Sequence, residues 1–314
     1  MNTFAKKAVA LALTVLAGTS MALPLDDIAS VRTSWKLKGI TSELETYTKP
    51  SQVGFAGGFG AGALKETTWG VGEITGIDDV NSNNLFLGGA GDRLYYMIYG
   101  IADLVIDNPG GGSTFNIYNI GCTGGVGVAA CDGKIHIDIY RTTSTIVNLT
   151  LKDPHNRTGF GTYSGVTDLP GSLYLGLTLA PGKVTGSGAL RDSATLFQTT
   201  NSALLPASGT GTFFADVNAG AAGGSARAKW DSNGIDTGIG TLVDFDANFT
   251  LKPNIVGAGG ACTAAAVAAN TCFGGLINDP VQATALPEPG SLALAGLALA
   301  GLAAVGRRAR AVKA

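Results

Sequence analysis

The chain has 314 residues, a formal net charge of −2, 47 glycines and 7% aromatic residues. Fifteen of its 21 basic residues and 22 of its 23 acidic ones lie between residues 23 and 286, so that stretch carries about −7. Such a surface does not attract nucleic-acid phosphates, and the glycines follow no collagen-like period but mark many turns.

The N-terminus reads as a secretory signal. Lys6 and Lys7 supply the positive start, Ala8 to Gly18 an apolar stretch, and Ser20-Met21-Ala22 the small residues of a cleavage site placed after Ala22. Export through the Sec translocon and cutting by signal peptidase are the expected consequences, which makes residues 1–22 a signal peptide. A short helix is expected near Leu23–Ser30. The stretch GFAGGFGAGALKE has glycines at 54, 57, 58, 60 and 62 but no Gly-Lys-Ser/Thr ending and no βαβ context, so it reads as a flexible turn. Asp78-Asp79 with Asn81, Asn83 and Asn84 forms an acidic loop.

Strand signals then recur at short spacing. TWGVGEITGI, RLYYMIYGI, STFNIYNI, KIHIDIY, STIVNLTLKD, SLYLGLTLAPG, GTFFADVNAG and LVDFDANFTLKP are each bounded by Gly, Pro, Asn or Asp. KIHIDIY places Ile135, Ile137 and Ile139 on one face and His136, Asp138 and Tyr140 on the other. SLYLGLTLAPG points Leu173, Leu175, Leu177 and Leu179 inward. LVDFDANFTLKP points Val243, Phe245, Ala247, Phe249 and Leu251 one way and Asp244, Asp246 and Asn248 the other. One apolar and one polar face per strand predicts antiparallel pairing, hence an all-β, antiparallel β-sandwich or jelly-roll-like ectodomain over 23–272. Short helices are expected near Ser193–Thr199 and Ala261–Asn270. The Gly/Ala stretch 219–226 is either a linker or a loop tip.

Four cysteines form two local pairs, Cys122/Cys131 and Cys262/Cys272. In an oxidising compartment both are expected to bridge, each contributing about 2–3 kcal/mol by loop closure. A continuous helix from Cys262 to Cys272 would separate the Cα atoms by about 15 Å, against the roughly 7 Å limit for a disulfide. Either the Ala-rich stretch folds back or that bridge does not exist. No Cys-x-x-Cys supports zinc.

His136 and Asp138 share a strand face and so form a candidate dyad, beside the plainer reading of a solvated face. His155 lies in the polar loop DPHNRTG with Asp153, Asn156 and Arg157. No Ser–His–Asp set assembles without arbitrary choices, and neither histidine follows a zincin pattern, so no catalysis is expected. Asp231-Ser232-Asn233-Gly234 reads as a hairpin turn. Asp231, Asn233 and Asp236 are also weak candidate Ca²⁺ ligands, although Ile235 and Leu242 exclude a true EF-hand. No other cofactor is expected. Trp35, Trp69, Trp230 and the Tyr95-Tyr96-Tyr99 cluster offer rings for stacking on sugar, if they are not core residues.

Residues 273–286 read as an unstructured stalk. The chain then closes with LPEPGSLALAGLALAGLAAVGRRARAVKA. Ser291 to Gly306 has no charge and as a helix covers roughly 24 Å, marginal for a single transmembrane span. Arg307, Arg308, Arg310 and Lys313 follow, and cations favour the cytoplasmic side, which leaves the body outside. Pro287 and Pro289 stop the helix from extending backwards.

This order of Pro287-Glu288-Pro289, apolar run and terminal cations over 287–314 resembles the PEP-CTERM sorting tail. The resemblance implies recognition by an exosortase at the inner membrane, then sorting of the body to the cell surface or extracellular matrix. It also implies a structural or adhesive role with exopolysaccharide, in a biofilm or floc. An extracellular lectin or hydrolase is the alternative. A hydrolase would bring carboxylates together in a cleft with perturbed pKa values.

Overall fold

The computed structural model describes residues 35–45, 64–78, 84–87, 92–107, 114–123, 131–143, 157–168, 172–184, 194–201, 208–251, 275–277 and 281–284. The strands in chain order are β1 (Trp35–Glu45), β2 (Thr68–Asp78), β3 (Asn84–Leu87), β4 (Arg93–Asp107), β5 (Thr114–Gly121), β6 (His136–Thr142), β7 (Arg157–Gly159) and β8 (Thr162–Tyr163). They continue with β9 (Ser172–Ala180), β10 (Leu196–Asn201), β11 (Ser208–Val217), β12 (Ile235–Asp236), β13 (Leu242–Val243), β14 (Phe245–Leu251), β15 (Gly275–Ile277) and β16 (Val281–Thr284). A four-residue helix, α1 (Arg227–Trp230), and a 3-10 turn at Gly220–Gly223 lie between β11 and β12. The class is the expected one, all-β and antiparallel. No helix among the described residues is long and apolar enough to cross a membrane. The apolar run 291–306 lies outside them, as do the N-terminal signal, His155, Asp153 and Cys262/Cys272.

Twelve strands form one sheet. Following the pairings from β4 through β2, β1, β16, β14, β11, β9 and β6 leads back to β4, so the hydrogen-bond ladder closes on itself. A second route, β5 and β10, also joins β4 to β11. β4 and β11 therefore each carry two partners in succession on one edge. Arg93–Tyr99 pairs with β6 and Ile101–Asp107 with β5. Ser208–Phe213 pairs with β10 and Phe214–Val217 with β9.

The core cluster draws on almost every strand with described side chains: Ile74 and Ile77 of β2, Phe86 of β3, Leu94 and Ile101 of β4, Leu175, Leu177 and Leu179 of β9, Phe213 of β11, and Phe245 and Ala247 of β14. Of the inward residues predicted for Val243–Leu251, Val243, Phe245 and Ala247 are buried, and one residue of the predicted polar face differs. Asp244, expected on the polar face, is fully buried, while Asn248 is exposed.

β4 explains how one strand can be apolar on both faces. Leu94, Tyr96 and Ile98 face the main core. Tyr95, Met97 and Tyr99 are buried on the other side, where Trp69 meets Tyr163 at 5.7 Å and Phe160 meets Tyr99 at 5.0 Å. Segment 157–168 thus covers the outer face. At Gly100 the alternation flips and Ile101 rejoins the core. Gly100 has φ of 83°, and the β2 register shifts beside it, two residues of β2 spanning three of β4. This is a bulge of the kind that needs a left-handed residue.

Three expectations fail, and one open reading is decided. The helix expected over Ser193–Thr199 is not found in its described part: Ala194 and Thr195 lead into β10, whose Phe and Thr residues suit a strand held on both edges. Of the two readings of 219–226, linker or loop tip, the loop stands: Asn218, Ser225 and Ala226 donate backbone hydrogen bonds to Gly176, Leu173 and Tyr174 of β9. Asp231–Gly234 is not the hairpin turn. The hairpin is β12–β13, turning through Gly238 and Gly240 at positive φ, with Asn233 alone at φ 47° in the preceding loop. The 273–286 stalk contains β15 and β16, both paired into the sheet.

A Cβ at Gly100 would lie 2.3 Å from the Lys134 carbonyl oxygen. Gly100→Ala is expected to lose about 1–2 kcal/mol from the left-handed backbone alone, with the clash adding to it. A lowered urea midpoint of the exported protein is the check.

Candidate functional site

The best-built polar cluster lies where β5 runs into β6. Cys122 and Cys131 are bridged, with Cα atoms 5.5 Å apart, as the sequence predicts for this pair. Cys122 N–H donates to the Gly100 carbonyl at 2.7 Å, and Gly133 N–H donates to the Cys122 carbonyl at 2.8 Å. Gly121 sits so close to the Gly133 backbone that a Cβ would fall at 2.1 Å. The corner holds Asp132 in place. Its carboxylate accepts from the Lys134 N–H at 3.0 Å and lies 2.9 Å from His136 Nε2.

The His136 ring stacks on Tyr99 with centroids 4.9 Å apart and 16° between planes, and Phe160 meets both edge-on. The stacking follows from register, because Tyr99 and His136 are direct cross-strand partners. The Tyr99 hydroxyl donates to Asp138 Oδ2 at 2.9 Å. Burial raises the Tyr99 pKa, and the Asp138 charge and hydrogen bond raise it further, so the phenol stays protonated. Burial likewise raises Asp138, offset by the Tyr99 hydrogen bond and the His136 charge. His136 and Asp138 do share a face, but each takes a different partner. His136 pairs with Asp132 and Asp138 with Tyr99, and neither pair presents an activated nucleophile.

A second buried carboxylate supports this corner from behind. Glu66 is 1% exposed, and its Oε1 accepts from the Gly100 N–H at 2.6 Å. Nearby, Asn119 donates to Asp103 at 2.7 Å, and burial raises the Asp103 pKa against that bond and one from Thr67.

The candidate calcium loop is organised by a residue the sequence reading put elsewhere. Asp244 accepts from Val217 N–H at 2.8 Å, Asn233 N–H at 2.6 Å, Ser232 Oγ at 3.2 Å and the Ser232 N–H. Asp231 accepts from Arg227 at 2.9 Å and Asn233 Nδ2 at 2.7 Å, and Asp236 accepts from Gly238 N–H at 2.8 Å. Asp231, Asn233 and Asp236 therefore serve the loop's own turns. Among the described residues no group of three His, Cys, Asp or Glu side chains is placed to share a metal ion. Asp216 lies beside Asp244. Burial first, then hydrogen bonding to Asp244 and its charge, then the Asp231 charge, push the Asp216 carboxyl up to about 7, with the Val217 N–H acting the other way.

Trp69 is 0% and Trp230 5% exposed, and Tyr95 and Tyr99 are also buried. These rings are core, not a sugar platform. Trp35 opens β1.

Tyr99, Asp132, Asp216 and Glu66 were not singled out from sequence as site residues, apart from Tyr99 as a ring. Asp132 had a signal, since it follows a bridged cysteine and precedes a histidine by four. The others depend on strand register.

The C-terminal segment is where known proteins speak. A family model described as the PEP-CTERM protein-sorting motif matches residues 285–309. This range holds Pro287-Glu288-Pro289 with Arg307 and Arg308, and Arg310 follows it directly. The chain thus carries an exosortase-substrate sorting tail, which implies export, membrane-linked sorting to the cell surface and processing by an exosortase. No curated protein and no solved structure matches the chain.

Tyr99→Phe leaves the half-buried Asp138 without its hydroxyl donor and is expected to cost about 1 kcal/mol, read from the urea midpoint. Asp216 carries the opposite pH sign to an ordinary ion-paired aspartate. Its folded pKa lies above the unfolded value of 3.8, so its contribution is complete below about pH 4 and fades as pH rises through about 7. Relative to Asp216→Asn, the parent chain should lose ground between pH 4 and pH 8 in urea titrations. Parallel pH profiles would contradict the assignment.

Proposed function

We propose that this protein works outside the cell as a structural or adhesive component that associates with exopolysaccharide in a biofilm or floc, and that it performs no catalysis. The observation that carries this reading is the sorting motif at 285–309, which directs a β-rich body to the surface. The body's chemistry supports a structural role. Several described carboxylates are engaged in the fold: Asp244 holds a loop, Asp246 pairs with Lys183, Arg141 grips Asp92 through two bonds of 2.8 Å, and Arg93 pairs with Glu73 at 2.8 Å. Of the carboxylates and histidine that a hydrolase cleft could draw on, Asp153 lies outside the described residues and Asp244, Asp246 and His136 are described. Here they serve three different contacts. On this reading the signal peptide passes the chain to the Sec translocon and signal peptidase, and residues 291–306 anchor it in the inner membrane until the exosortase acts. No metal or cofactor is needed.

Deletion of the gene in its host is the test, with floc or biofilm cohesion and polysaccharide retention scored against a complemented strain. Loss of cohesion that the parent gene restores is expected. Unchanged cohesion and unchanged sugar retention would remove the adhesive reading.

A further inference from the structure

β5, β10, β11 and β14 lie side by side, and register decides what their outer face presents. Leu196, Phe213 and Ala247 are cross-strand neighbours in the core, and Ile117 of β5 is buried on the same side. The residues that alternate with them therefore point outward. They fall in two rows. Tyr118, Phe197, Thr212 and Asn248 are successive cross-strand partners in the first, and Asn116, Thr199 and Thr210 in the second. Val105 of β4 extends the first row beside Tyr118 and is 36% exposed. Tyr118 and Phe197 are partly exposed, with ring centroids 5.1 Å apart and 45° between planes. Thr210 and Asn248 are exposed, and Thr199 Oγ1 donates to Asn116 Oδ1 at 3.2 Å. With neighbouring strands about 4.8 Å apart, four steps carry the first row about 19 Å from Val105 to Asn248. No side chain of these two rows is charged. Asp107 stands at one corner as the partner of Asn116, and Asp246, beside the other end, is neutralised by Lys183.

We propose that this face is a binding site for a neutral polysaccharide, taken side-on along the rows. A pyranose has an apolar C–H face, which an aromatic ring covers, and a rim of hydroxyls, which amide and hydroxyl side chains meet as donors and acceptors. Tyr118 and Phe197 supply the first, and Asn116, Thr199, Thr212 and Asn248 the second. Charge separates the classes of glycan. An acidic polymer meets a body of about −7 and no cation in either row, whereas a neutral one meets no repulsion. Each contact is weak, and a repeating chain that touches many copies of the protein makes up the strength. The inference rests on the matrix role proposed above and adds to it a place on the fold and a class of sugar.

The test uses the protein recovered from the host surface and the host's exopolysaccharide, split by anion exchange into neutral and acidic fractions. Binding to each immobilised fraction is measured for the parent, for the double variant Tyr118→Thr with Phe197→Thr, for Asn116→Asp, and for Leu242→Ser, which alters an exposed apolar residue on the β12–β13 hairpin. Threonine suits a strand, and Asn116→Asp keeps both rings and the shape of the face, so it reports even where the double variant does not fold. Urea midpoints show which variants are folded. The parent is expected to bind the neutral fraction equally well in about 0.05 M and about 0.5 M salt. The double variant should bind about tenfold or more weakly, Asn116→Asp about threefold or more weakly, and Leu242→Ser like the parent. A folded double variant or an Asn116→Asp chain that binds as the parent does, a parent that ignores the neutral fraction, or binding to the acidic fraction that fades with salt would each overturn this face. If deletion of the gene still costs cohesion, the matrix role survives that result. Unchanged cohesion and sugar retention on deletion would remove the matrix role, and this face with it.

Discussion

The backbone of Gly100 is the constraint on which most of the described structure depends. Its N–H is taken by the buried Glu66 carboxylate at 2.6 Å, its carbonyl by Cys122 N–H at 2.7 Å, and the space for a Cβ by the Lys134 carbonyl. Its φ of 83° is open to glycine at little cost. From that residue β4 changes partner from β6 to β5, and its inward side chains change parity. The disulfide corner hangs from the same carbonyl, and the Tyr99–His136 stack sits one residue upstream. Glu66, Gly100, Cys122 and Asp132 thus form one connected support for two strands, a bridge and a polar cluster.

Much of this architecture is readable from residue order, and the failures have physical causes. Period-two alternation located β2, β4, β5, β6, β9, β11 and β14, because each buries apolar side chains, all but β5 in a common core, and hydrophobicity records that directly. β1 and β16 were not seen. Lys36, Lys38 and Gly39 dilute the pattern in β1, and VQAT has too few apolar residues to signal anything. Their strand state comes from partners far away in the chain. The same holds for Ser193–Thr199, where a strand on each side outweighs local helix propensity.

The polar cluster was half legible. That His136 and Asp138 share a face follows from strand geometry, and so does the local bridge from cysteine spacing. That Tyr99 takes Asp138 and Asp132 takes His136 depends on the register of β4 against β6 and on the corner after Cys131, which no spacing rule gives. Asp244 misled for a similar reason. Alternation put it on a wet face, but a loop with free N–H groups from Ser232 and Asn233 closes over it, and a carboxylate satisfied by several donors is tolerated in the interior. Asp216, next to it, bears the electrostatic consequence.

Closure of the ladder has a bearing on life at high local concentration. Among the described strands, long runs are bonded on both sides, and bare edges fall to small pieces such as β3, β15 and the far ends of β4 and β14. Exposed edges are what let β proteins recruit one another into fibres. Among its described strands a body built this way offers few templates for runaway polymerisation, so crowded copies would stay discrete units, separable again without melting any of them.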